Sequence, residues 1–153
     1  MRRKDRQKDE RFALDVINSA PYATLSTVTP EGRAYGVPIS PAVADGAVYF
    51  HCAHEGLKLD CIKGNSSVCL TAVSFALPTP EDYSMDYSSA IVTGSATIVT
   101  EPEEKALALR AICLRYAAKN ISMFDDYIRR YLDKTCIVKI TPAEITGKSR
   151  KTK

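Results

Sequence analysis

The chain has 153 residues and a mass of 16.8 kDa, with 45% apolar and 25% charged side chains; this suits one domain with its own core and excludes a multidomain assembly or a disordered polymer. The formal charge of +3 is unevenly spread, with +3 in residues 1–11, +4 in residues 148–153 and −4 in the body between them. Positive charge confined to two ends reads as mobile solubilising tails rather than an organised nucleic-acid groove, and no run approaches the roughly 18 apolar residues of a membrane span.

The first periodic segment, Arg11–Asn18, places Phe12, Val16 and Ile17 on one side of a short helix that Pro21 ends. Strands follow over Tyr22–Val28, Ala34–Ser40 and Ala47–Cys52, separated by Thr29-Pro30-Glu31-Gly32 and by Ala44-Asp45-Gly46, a hairpin signal. A short helix over Glu55–Lys63 is expected to close at Gly64 through a positive φ. Ser67–Phe75 is a fourth strand, residues 76–86 read as a loop, and Tyr87–Val99 is a long strand with Gly94 at a bulge. Thr100–Glu103 has capping-box spacing before a helix to Tyr116, whose apolar face is Leu109, Ile112, Cys113 and Tyr116. A second late helix over Ser122–Leu132, a strand over Thr135–Ile140 and a frayed tail from Gly147 complete the chain.

Five cysteines without a CxxC pair, and no secretory signal after the basic start, point to reduced thiols and a cytoplasmic location. The six strands form an α+β domain, mainly antiparallel, that hides its edges by closing. A flat sheet covered by helices is the alternative that periodicity leaves open.

The two histidines fall together in Tyr49-Phe-His-Cys-Ala-His-Glu-Gly-Leu-Lys58. Alternation puts Tyr49 and His51 on one face and Phe50 and Cys52 on the other. His54 follows, where the chain enters the helix, and Lys58 lies one turn inside it. Exposed N–H groups at that helix start, a lysine and a histidine make an anion corner. Structural capping by the histidines is the competing account. His51, Cys52, His54 and Cys61 are zinc-type ligands, but their spacing is not a finger, so no metal is expected. No GxGxxG stretch marks a nicotinamide domain.

Residues 32–40 (Gly-Arg-Ala-Tyr-Gly-Val-Pro-Ile-Ser) and 45–60 (Asp-Gly-Ala-Val-Tyr-Phe-His-Cys-Ala-His-Glu-Gly-Leu-Lys-Leu-Asp) strongly resemble the FMN-binding split-barrel superfamily related to pyridoxamine 5'-phosphate oxidase. More closely they are similar to its nitroimidazole-resistance, nitroimidazole reductase-like branch. The basic start, the helix after Pro102 and Ile145-Thr-Gly-Lys148 fit as well, so the resemblance covers residues 1–148, a single split β-barrel domain with peripheral helices, leaving 149–153 as a basic tail. It implies a homodimer with FMN at the subunit interface.

Carried onto this chain, the resemblance assigns Val37, Pro38, Ile39 and Ser40 to the flavin ring or ribityl wall. His51, Cys52, Ala53, His54 and Lys58 fall at the phosphate end. Thr71 flanks the site, and Tyr87, Ser88 and Ser89 complete it. His51 matches the branch's histidine near the flavin and is the candidate catalytic group, able to orient a ligand or donate a proton. Many relatives carry an arginine before the motif lysine, where this chain has Leu57, so one phosphate contact is missing. The implied activity is FMN-dependent reduction of a small electrophile, such as a nitroaromatic, with NAD(P)H as a donor. The alternatives are a non-catalytic flavin-, haem- or small-molecule-binding protein and a pyridoxamine 5'-phosphate oxidase-like oxidase.

Overall fold

The computed structural model describes residues 2–152. The elements run β1 (Gln7–Lys8), α1 (Glu10–Ser19), β2 (Ala23–Val28), β3 (Ala34–Ile39), β4 (Ala42–Ala44), β5 (Ala47–Cys52), α2 (Leu57–Gly64), β6 (Ser67–Thr79), β7 (Ser84–Ile98), α3 (Pro102–Tyr116), α4 (Phe124–Tyr131) and β8 (Cys136–Arg150). One antiparallel sheet holds every strand in the order β3-β2-β6-β7-β8-β5-β4, with β1 added beside β8.

The expected closure into a barrel does not occur. β3 and β4 are the two ends of the sheet and form no ladder with each other, although only Ser40 and Pro41 separate them. The reason is local. Pro38 sits within β3 and Pro41 just before β4, so the seam lacks two backbone donors, and β4 spans only three residues. The architecture is α+β, a mostly antiparallel open sheet with peripheral helices.

Two apolar clusters hold the sheet. The first gathers Val16 and Ile17 of α1, Leu25 of β2, Val48 and Phe50 of β5, Leu59 of α2, Leu70 of β6, Val92 of β7 and Val138 of β8. The second packs Tyr49 of β5 and Ile137 of β8 against Leu109 of α3 and Phe124 of α4. Strand β5 is therefore buried on both faces over Ala47–Phe50. Removing a side chain the size of Phe50 from water contributes about 1.5–3 kcal/mol. Asp9 caps α1 by accepting from the Phe12 N–H at 2.8 Å.

The hairpin at Asp45-Gly46 has the expected left-handed pair, with φ of 47° and 74°. A register shift between β7 and β8 falls at Thr93/Gly94, as expected of a bulge. Other expectations need correction. Residues 76–86 are not a loop: β6 and β7 continue their ladder as far as Thr79 and Ser84, joined by a 3-10 turn over Pro80–Asp82 with Tyr83 left-handed. The ladder runs on through Pro78 because strand pairing needs a donor only at alternate positions. Helix α3 has no capping box: Glu101 is its N-cap without a side-chain bond, and Pro102 begins the first turn. Helix α2 ends at Asn65 in extended geometry, and the glycine with positive φ is Gly56, at its start.

Residues 147–152 are not a loose tail. β8 runs on past Gly147, pairing with β1 and with β7 to Arg150, and the Thr152 N–H donates to the Asp86 carboxylate at 2.7 Å. Packing fixes this path, since α1 lies so close over Gly147 that a Cβ there would stand 2.9 Å from the Phe12 ring. Lys153, counted in the expected tail, lies outside the described residues. Among the described residues, no helix is long and apolar enough to cross a membrane.

Candidate functional site

The seam that leaves the sheet open holds a cavity of about 320 Å³. One wall is the end of β3, with Pro38, Ile39 and Ser40; the other is the end of β5, with His51, Cys52 and Ala53. Lys58 enters from the first turn of α2, and Tyr22 closes one side. Seven of the residues expected from the sequence are thus brought together from three elements, because the short Ser40-Pro41 link forces β3 and β4–β5 to lie next to one another.

The electrostatics of this corner favour an anion. Gly56 adopts φ 128°, which bends the chain sharply into α2, and no side chain caps that helix. Its first N–H groups therefore have no side-chain acceptor. Lys58 is half-buried and, among the described residues, has no acidic partner within ion-pair distance. Its charge acts instead on Cys52. Burial and the neighbouring Cys136 push the Cys52 thiol up to about 11, against a downward pull from Lys58. An uncompensated, half-buried ammonium beside free N–H groups fits a phosphate.

The remaining expected residues lie elsewhere. Val37 alternates away from Pro38 and packs on the first apolar cluster. His54 is turned outward, its Nε2 lying 3.2 Å from the Asp133 carbonyl oxygen, so it secures the β5–α2 link to the segment before β8. Thr71 sits on β6 opposite Thr24, which in turn faces Pro38, on the sheet row that leads away from the cavity. Tyr87, Ser88 and Ser89 are on β7. Ser88 lines a separate cleft of about 640 Å³ where Arg3, Arg6, Lys8, Arg150 and Lys151 converge, and Lys148 lies 5.5 Å above the Tyr87 ring. β7 contributes no residue to the seam cavity. Among the described residues no cluster of three or more His, Cys, Asp or Glu is placed to hold a metal.

Sequence reasoning missed a second cavity, of about 520 Å³, between α3 and α4. It is mostly apolar, with Ile112, Tyr116, Phe124, Tyr127 and Tyr131 around it and Asn120, Asp126 and Arg130 as its polar members. His51 lines this cavity as well as the seam. Tyr116 ties the two together, donating its hydroxyl to the Pro41 carbonyl at 3.0 Å. The available signal was the spacing of Phe124, Tyr127 and Tyr131, which puts three aromatic rings along one side of α4. Arg115 was missed too. It donates to the Pro41 and Ala20 carbonyls and so anchors the seam from α3.

The open antiparallel sheet has counterparts among known proteins. The profile of the pyridoxamine 5'-phosphate oxidase family matches residues 9–149. The chain belongs to that family. Solved structures share its fold: a candidate 5-nitroimidazole antibiotic resistance protein from Bacteroides thetaiotaomicron is 24% identical with a TM-score of 0.76, over 92% of this chain and 84% of that one. The FAD and heme binding protein from Mycobacterium smegmatis is 16% identical with a TM-score of 0.81, over 96% and 74% of the two chains. An FAD binding protein from the same organism is 23% identical with a TM-score of 0.66, over 95% and 99%. Comparison with curated proteins finds no significant match.

Proposed function

We propose that the protein is a flavin-dependent oxidoreductase that holds the phosphate of the FMN moiety in the corner between β5 and α2 and reduces a small electrophile such as a nitroaromatic. The observation that carries this reading is Lys58: a half-buried cation without an acidic partner among the described residues, in a cavity walled by β3 and β5. Membership of the pyridoxamine 5'-phosphate oxidase family supports it. When bound, the flavin supplies the two-electron chemistry, accepting reducing equivalents from a donor such as reduced nicotinamide and passing them to the acceptor.

The chain's own residues bind, orient and donate. Lys58 and the first N–H groups of α2 neutralise the phosphate. Pro38 and Ile39 offer an apolar wall with little freedom to move. His51, exposed where the two cavities meet, is a group able to orient a bound ligand or donate a proton to it. On the sheet face away from Ala90 and Val92, Val73 of β6 and Met85 and Ile91 of β7 form an exposed apolar stripe. A second copy of the chain covering that stripe would form a homodimer and bring residues of the other subunit, Tyr87–Ser89 among them, toward the seam.

The test is a fluorescence titration of ligand-free protein with FMN, alongside the Lys58→Ala variant. Loss of a charge-assisted phosphate contact is expected to weaken binding at least about tenfold. Equal affinity for wild type and variant would overturn the phosphate assignment. Anaerobic mixing of the loaded protein with NADH or NADPH, followed by a nitroaromatic, tests the oxidoreductase reading: absorbance at the flavin band should fall and then recover.

A further inference from the structure

We infer that the aromatic cavity between α3 and α4 receives the adenine of FAD, with the pyrophosphate crossing His51 between Lys58 and Arg130, so that the protein prefers FAD to FMN. The inference deepens the flavin reading and rests on it.

Three observations carry it. The two cavities are neighbours, since His51 lines both and the Tyr116 hydroxyl reaches from one to the Pro41 carbonyl at the seam. Their chemistries are those of the two parts of one ligand. The seam offers a cation and free helix N–H groups, whereas the second cavity offers flat rings, with Tyr116, Phe124 and Tyr127 on its walls. A volume of about 520 Å³ lies in the range of ordinary ligand pockets and is ample for a purine. The polar residues complete the match. Arg130 has no acidic partner within ion-pair distance among the described residues, whereas its neighbour Asp126 is held by Arg129 at 2.5 Å. Asn120 carries the donor–acceptor amide that pairs with the N6/N7 edge of adenine. A purely apolar guest would leave Arg130 and Asn120 without a counterpart. FMN alone would leave the aromatic cavity unused.

The experiment is a pair of titrations of ligand-free, full-length protein with FMN and with FAD, repeated on Tyr127→Ala and Arg130→Gln. Both side chains are exposed enough for the variants to fold, which thermal melting checks. Stacking of a base on an aromatic side chain is worth roughly tenfold or more in affinity. FAD is therefore expected to bind at least about tenfold more tightly than FMN. Each variant should lose most of that preference while leaving FMN affinity within about twofold of wild type. Equal affinities in the wild type, or a preference that neither substitution moves, would overturn the adenine site while leaving the FMN reading intact. Binding of neither flavin would overturn the flavin reading itself, and this inference with it.

Discussion

Cys52 and Cys136 stand directly opposite one another across the β5–β8 ladder, the first at the rim of the seam cavity and the second buried. Burial and the thiol opposite hold Cys52 in its neutral form, with its pKa pushed up to about 11 from an ordinary 9.0. The folded state thus keeps a proton that the unfolded chain releases. Stability from this source is complete below about pH 9 and is lost as pH climbs toward 11. Alkylation of Cys52 by iodoacetamide should be slow at pH 7.5 and rise about tenfold per pH unit up to pH 10. Mass spectrometry of the labelled peptide checks it, and a plateau near pH 8 would contradict the shift.

Glu104 of α3 holds the other face of the sheet. Its Oε1 accepts from Lys139 Nζ at 2.6 Å and from the Tyr49 hydroxyl at 2.9 Å. These bonds, that from Lys139 first, keep its carboxyl below the ordinary range. The carboxylate's contribution is therefore present above the unfolded carboxyl pKa and disappears as pH falls through the folded one. Glu104→Gln should destabilise by about 1 kcal/mol at pH 7, a value discounted for the pair's partial exposure. Urea melts at pH 7 and pH 3 should show the difference between wild type and variant shrinking in acid.

Gly94 marks where β7 and β8 change register, and a Cβ there would stand 2.1 Å from the Thr141 carbonyl oxygen. No side chain can move aside, because the obstacle is backbone. Gly94→Ala should cost about 1–3 kcal/mol or more. A urea midpoint lowered with an unchanged slope is the expected signature.

The bulge at Gly94 and the left-handed turn at Asp45-Gly46 were legible because a glycine at such a point has a local, steric meaning. Strands β2, β3, β5 and β7, helices α1 and α3, and the cluster from Pro38 to Lys58 were legible for related reasons of alternation, spacing and resemblance. Three features were not. Whether a sheet closes depends on its two end strands meeting, and neither Pro38 nor Pro41 announces in sequence that they face the same seam. The run of β8 past Gly147 is set by α1 and β1, which are remote in the chain. The aromatic cavity needs Tyr116 of α3 and Tyr127 of α4 to converge on His51, a meeting that no single periodic segment encodes.

Arg115 offers a test of the seam. Its guanidinium donates to the carbonyls of Pro41, which is fully buried, and of Ala20. Arg115→Met keeps most of the apolar stem but leaves both carbonyls without that donor. A loss of about 1–3 kcal/mol is expected. Hydrogen exchange should show faster opening at β4 and the start of β5 than at β6 or β7, and uniform acceleration would contradict this anchoring role.

The sheet order has a consequence for biosynthesis. β5 leaves the ribosome early, yet its partner in the ladder is β8, whose pairing begins at Cys136. Until residues 53–135 have been translated, on the order of ten seconds at typical elongation rates, Val48 and Phe50 belong to a strand with only the three-residue β4 beside it. Chaperone dependence of the nascent chain should therefore peak during that interval and vanish once the start of β8 has emerged.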